Sequence, residues 1–236
     1  MARVNERSVR LEAETVRNVK TERITQFRQV LASQPGPDCL GYSHEGGVFY
    51  PVTDGDTLLN KTCAGITSPF GSPGDHLWVK ESCFAEFSPD GVNHSIFYTA
   101  DCDSRRVKPQ EESLWIKLWC YGRGNGGQIV RSIHMPRWAS RITIQITDVR
   151  LERLQAVTPA DALLAGLEVK VVDNMPIARH YLVPKAFYQP WSDELSAELQ
   201  REKVIHYSYR SYWQSKHGGL SWENNPWVWV VRFRKV

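Results

Sequence analysis

No stretch of this 236-residue sequence stays apolar for anything near the ~20 residues that a helix needs to cross a bilayer. No membrane partner is therefore expected. The N-terminal stretch "MARVNERSVRLEAETVR" is charged throughout and lacks the apolar centre of a signal peptide, so a cytoplasmic location is expected. Cysteine is sparse and badly placed for bridging. The five residues Cys39, Cys63, Cys83, Cys102 and Cys120 are odd in number, lie far apart and form no C-x-x-C, which fits reduced thiols better than a disulfide framework or a zinc knuckle. Cys39 and His44 have ligand spacing, but no second pair follows, so no metal and no cofactor is expected. The phosphate-cradling G-x-x-x-x-G-K-[ST], the zinc-protease H-E-x-x-H, the G-x-S-x-G elbow and a strand-linked G-x-G-x-x-G are all missing. Nor is there a large excess of charge: the net value is +3, too small to name a partner.

The distribution of charge says more. Arg123–Arg153 carries +4, Met1–Arg28 carries +3, and the rest of the chain sums to −4. Two separated segments hold the positive charge, and a fold that joins them would make a face attractive to phosphates. Either segment alone is more simply a solvated surface. Tryptophan is the other abundance: nine indoles, most expected in the core, a few exposed ones able to stack.

Along the chain, Val9, Ala13 and Val16 predict a short helix over residues 8–18 with Asn18 as its left-handed cap. "KTERITQF" opens a strand. Residues 38–73 are rich in Gly, Pro, Asp and Ser and read as an irregular insertion or a hairpin. After the Pro73-Gly74 turn, Leu77 and Val79 face one way while Trp78 and Lys80 face the other. "HSIFYTAD" is another strand, and residues 102–130 form a long excursion ending in "GRGNGG". Ile142, Ile144 and Ile146 alternate with polar residues until Asp148, where a bend or bulge would return Val149, Leu151 and Leu154 to the core. "VTPADALLAG" is a punctuated helix with Thr158 as N-cap, Pro159 first, Asp161 completing the cap and Gly166 as stop. Residues 170–191 read as a loop. Ser192 then caps a longer helix with Leu195, Leu199, Tyr209 and Trp213 inward, and "WVWVVRFRKV" is the last strand. Five or six strands separated by helices predict a small β-barrel decorated by helices.

Three places draw attention chemically. Asp54-Gly55-Asp56 and Asp101-Cys102-Asp103 each bring two carboxylates together; such pairs could hold a divalent ion but more often form turns. "VKTERIT" places Lys20, Thr21 and Arg23 at a helix end. They are either ordinary surface residues or a site in which a desolvated Lys20 acts as base or phosphate ligand. "SIHMPRWASRITIQIT" runs a loop with His134, Arg137, Trp138 and Arg141 straight into a strand. Arginine forks suit phosphates and base edges, and His134 or Trp138 could stack. Structurally, Pro136 would instead stiffen the loop, Trp138 plug the barrel end and Arg141 pair with an acid.

"GSPGDHLWVKES", "FYTAD", "RSIHMPRWASRITIQITDVRLERLQAVTPADALLAGL" and "YWQSKHGG…WENNPWVWVVRFRKV" together resemble a family of bacteriophage and prophage proteins of unassigned function, itself similar to the ASCH domains of the PUA-like superfamily. The likeness covers most of residues 68–169 and 207–236. More loosely, "NVKTERIT" resembles the "GRKTxTxR" stretch of that group. The resemblance implies an α+β fold, a PUA-like (ASCH-like) small mixed β-barrel decorated with helices. It would form a single domain over 1–236 with long loop insertions at about 36–72, 102–130 and 170–191. It implies a phage-encoded protein in the host-cell cytoplasm whose partner is RNA, another single-stranded nucleic acid or a modified nucleotide. The expected binding residues are Lys20, Thr21, Arg23, Lys80, His134, Arg137, Trp138 and Arg141. Some ASCH members are hydrolases that deacetylate acetylated cytidine with a Lys, a Thr three residues later and a Glu. Lys20 matches the first of these, but Arg23 and Ala165 stand at the other two positions, so a non-catalytic binder is the preferred expectation. A hydrolase (amidohydrolase on modified nucleosides, or ribonuclease, with Lys20 as the candidate catalytic group) and a phage protein that binds a host protein remain the alternatives.

Overall fold

Alternation and capping set most of the elements. The computed structural model describes residues 4–53, 65–87, 93–124, 127–173, 175–189 and 196–236. Asp54-Gly55-Asp56, Cys63, Trp191, Ser192, Leu195 and the middle of "GRGNGG" lie outside the described residues. The first elements in chain order are β1 (Glu6–Arg10), α1 (Ala13–Lys20), β2 (Gln26–Val30), β3 (Cys39–Glu45), β4 (Val48–Thr53) and β5 (Ile66–Thr67). Next come β6 (His76–Lys80), β7 (Cys83–Phe87), β8 (His94–Tyr98), β9 (Ser104–Arg106), α2 (Glu112–Gly124) and β10 (Thr143–Arg153). The last are α3 (Pro159–Leu164), β11 (Val169–Val172), β12 (Met175–Arg179), β13 (Phe187–Tyr188), α4 (Ala197–His217) and β14 (Trp227–Lys235). The class is α+β. The three-stranded sheets β3-β4-β5, β7-β8-β9 and β11-β12-β13 are too small to close, and no closed barrel forms among the described residues.

The chain divides into two compact bodies. One holds residues 1–22, 69–147 and 233–236, the other residues 23–68 and 148–232. In the first body β1 runs parallel to β6, with Val9 opposite Val79, and β6 pairs antiparallel with β10, with Trp78 opposite Thr143. This corrects the helix expected over 8–18. Val9 is buried on a strand, and the helix starts only at Ala13, burying Val16 and Val19. Helical spacing in the sequence joined residues from two elements, because parallel pairing to a partner about 70 positions away leaves no local mark. The long excursion 102–130 contains α2, whose Trp115 and Leu118 complete a core with Cys83, Ile96, Tyr98 and Met135.

In the second body β14 pairs antiparallel with β2. Thr158 caps α3 by accepting from the Asp161 N–H, and Gly166 ends that helix at φ 89°. A side chain at Gly166 would collide with Ile24. The core gathers Leu154, Ala165, Ile205, Tyr209, Trp213, Trp222, Val228 and Val230. The segment read as a loop over 170–191 contains β11, β12 and β13, and Leu199, expected inward, is exposed on α4. Ser196 caps α4.

Asp161 is a buried charge of this body. Arg232 and Arg150 each donate to its carboxylate at 2.7 Å, and Arg28 donates at 3.3 Å. Burial alone would raise its pKa. The bonds from Arg232 and Arg150 and the field of Arg28 prevail and hold it at about 2, below the usual range of an aspartate. A carboxylate depressed on folding contributes stability that is present above its unfolded pKa and lost as pH falls through the folded one. Asp161→Asn should therefore unfold at a lower temperature than the wild type at neutral pH. In melts recorded from neutral pH down to about 2, that gap should shrink below about pH 4 and close near pH 2. A gap independent of pH would contradict the assignment.

Candidate nucleic-acid interface

The loop Ser132–Arg141 is anchored from beneath. Met135 and Ala139 are buried in the core of the first body, and the Tyr98 hydroxyl donates to the Ala139 carbonyl at 2.9 Å. Arg105 donates to the Trp138 carbonyl, and Ser140 Oγ donates to the Val79 carbonyl at 2.8 Å. Those contacts turn Ile133, His134 and Arg137 outward, and all three are exposed. Trp138 packs against the same core with Arg105 against its ring, which gives it a packing role where stacking was one expectation.

Arg141 follows the structural alternative. Its side chain is 9% exposed and bonds bidentately to Glu81, itself 2% exposed, with both contacts at 2.8 Å. It also donates to Asp101 at 2.8 Å and lies 3.9 Å from the Tyr98 ring centre. The turn between β8 and β9 supplies Asp101 and Asp103, with Cys102 between them in the left-handed region at φ 58°. Such a backbone costs a non-glycine residue ~1–2 kcal/mol, offset here by the ion pairs it permits. Lys20, in the last turn of α1, donates to both carboxylates at 2.7 Å. The bonds to Asp101 and Asp103 raise the Lys20 pKa, so its amine stays protonated. Burial would raise Asp101, but Arg141 and Lys20 override it and hold the carboxyl well below the usual range. The acidic pair noted in the sequence thus binds cations of its own chain, and no group of metal-ligating side chains occurs among the described residues. Beside this cluster lies a cavity of about 370 Å³ lined in part by Arg10, Glu81, Ser82, Thr99 and Ser132.

A second group of cations gathers at the outer face of β1, β6 and β10. Trp78 sits half-buried there, paired across the flanking strands with two small residues, Ser8 and Thr143. Lys80 Nζ lies 5.4 Å from the ring centre and Arg137 Cζ 5.9 Å, near the outer limit of a cation–π contact. Arg137, 43% exposed, bonds Glu6 at 2.6 Å and Thr143 Oγ1 at 3.3 Å. Lys80 donates to the Ile133 carbonyl at 2.7 Å. Arg10 stands opposite Lys80, and Arg234, on β14, donates to Gln145 of β10.

The expected site residues therefore separate. Lys20 and Arg141 meet on Asp101 and Asp103, whereas Lys80 and Arg137 meet on Trp78. Thr21 donates to the Arg17 carbonyl and finishes α1. Arg23 belongs to the second body, where its charge helps lower the Glu168 pKa behind the larger effect of Lys170. Trp78, Arg10 and Arg234 were not singled out from the sequence, although the alternation already put Trp78 and Lys80 on one face; the missing signal was which partners β6 takes.

Removing one partner of a buried ion pair leaves the other unpaired, at a cost of about 3–5 kcal/mol. Arg141→Ala should lower the denaturant midpoint by that measure, while Lys20→Met, at a half-open pair, should cost under ~1 kcal/mol. Equal, small effects in chemical unfolding would contradict a structural role for Arg141. Comparison with protein-family models, with curated proteins and with solved structures returned no match.

Proposed function

We propose that this chain is a phage-encoded ASCH-like protein of the PUA-like kind that binds single-stranded RNA, or a modified nucleotide within it, without catalysis, in the host-cell cytoplasm. One observation carries the reading: a half-buried indole on a sheet face, flanked by Lys80 and Arg137. Single strands are held by aromatic rings that stack bases and by cations that follow the phosphates. A duplex offers no free base face to Trp78. The cross-strand neighbours Ser8 and Thr143 are small, and Arg10 and Arg234 extend the positive character along the sheet.

Lys20 argues against the hydrolase reading. A general base needs a neutral amine near neutral pH, and Asp101 and Asp103 favour the ammonium. The position that would carry the catalytic carboxylate is Ala165, packed in the core of the second body.

In fluorescence titrations of oligouridine, Trp78→Ala should weaken binding about tenfold. Lys80→Ala with Arg137→Ala should reduce the slope of log K against log salt by about 1.4, from roughly −0.7 per phosphate contact on a single strand. Duplex DNA should bind more weakly than the single strand. Salt-independent binding, or binding unchanged in all of these variants, contradicts the proposal. Acetylated cytidine should pass through unchanged, and turnover lost in Lys20→Ala would reinstate the hydrolase.

A further inference from the structure

An aromatic pair stands next to the residue to which Lys80 is bonded. The Tyr121 ring, at the end of α2, lies 5.5 Å from the His134 ring, tilted by 51°. Tyr121 is 41% exposed and the adjoining Ile133 56%. Lys80 links this pair to Trp78: its ammonium is 5.4 Å from the indole centre and hydrogen-bonded to the carbonyl of Ile133, the residue before His134. The contacts run from Arg137 to Trp78, from Trp78 to Lys80 and from Lys80 to Ile133, whose neighbour His134 meets Tyr121. Cation and aromatic alternate.

That order matches the chemistry of a nucleic-acid strand, in which each phosphodiester joins two nucleosides. A cation between two aromatic platforms places one phosphate with a base on either side. We propose that Tyr121 and His134 form a second base-stacking subsite, so that the surface holds a dinucleotide step: one base on Trp78, the linking phosphate on Lys80, the next base on the Tyr121–His134 pair, and the outer phosphate on Arg137. The subsite rests on the single-strand reading of the Trp78 face and goes beyond it by fixing how many bases the surface engages and in what order. The exposed Ile133 side chain, next to His134 in the chain, offers apolar contact to a base. An aliphatic patch alone would suit a protein partner equally; the cation set between rings favours the strand.

The test compares uridine monophosphate with an oligouridine of about eight nucleotides, using wild type, Trp78→Ala and the double variant Tyr121→Ala with His134→Ala. Both altered groups of the double variant lie at the surface, and a thermal melt checks that it is folded. The double variant should bind the oligonucleotide about tenfold more weakly and the monophosphate as the wild type does. Trp78→Ala should weaken both. A double variant that binds the oligonucleotide normally, beside a weakened Trp78→Ala, overturns the second subsite and leaves the single-strand reading standing. No effect in either variant, or no binding by the wild type, overturns both and leaves the Tyr121–Ile133 surface to a protein partner.

Discussion

The guanidinium of Arg141 is fixed by the buried Glu81 and by Asp101, and Lys20 closes the same cluster from α1. Much else in the first body depends on this cluster. It holds the turn between β8 and β9 in a left-handed conformation, ties the end of α1 to that turn, and anchors the start of β10. With that end of the loop pinned, and Met135 and Ala139 buried, the rest of Ser132–Arg141 has one way to face. His134 and Arg137 point outward because Arg141 points inward.

The same economy of charge governs the second body, where Arg28, Arg150 and Arg232 converge on Asp161 and where Glu152 takes further bonds from Arg28 and Arg150. Arginines that look like a phosphate-binding stripe in sequence are consumed by their own chain's carboxylates. Summed segment charge therefore overstates the surface potential. What remains for an anion is set by the cations whose partners are weak or exposed, and on the first body two of these, Lys80 and Arg137, stand around Trp78.

Elements whose signal is local were legible in the sequence. The alternation of β6 and β10, the Thr158 cap and Gly166 stop of α3, and the final strand follow from side-chain periodicity and backbone preference alone. The rest depends on partners distant in sequence. β1 looked helical because its pairing to β6 is non-local. α2 was hidden because its buried residues, Trp115 and Leu118, make a narrow stripe among Leu114, Ile116 and Tyr121, which are exposed. For the candidate site, residue types were legible and allegiance was not. Arg137 and Arg141 are four positions apart in one loop, yet one lies on an exposed sheet face and the other in a buried ion cluster, and only the positions of Glu81 and Asp101 decide between them.

The central claim is that the half-buried indole of Trp78, rather than the Lys20–Arg141 cluster, meets the ligand. The most direct measurement is a nuclear magnetic resonance titration of the isotope-labelled protein with oligouridine, following the nine indole N–H signals together with the backbone amides. The account predicts that the largest indole shift belongs to Trp78, with amide shifts at Lys80, His134 and Arg137 and little change at Lys20, Asp101 or Asp103. Shifts centred on Lys20 and Asp101 with Trp78 unmoved would contradict it.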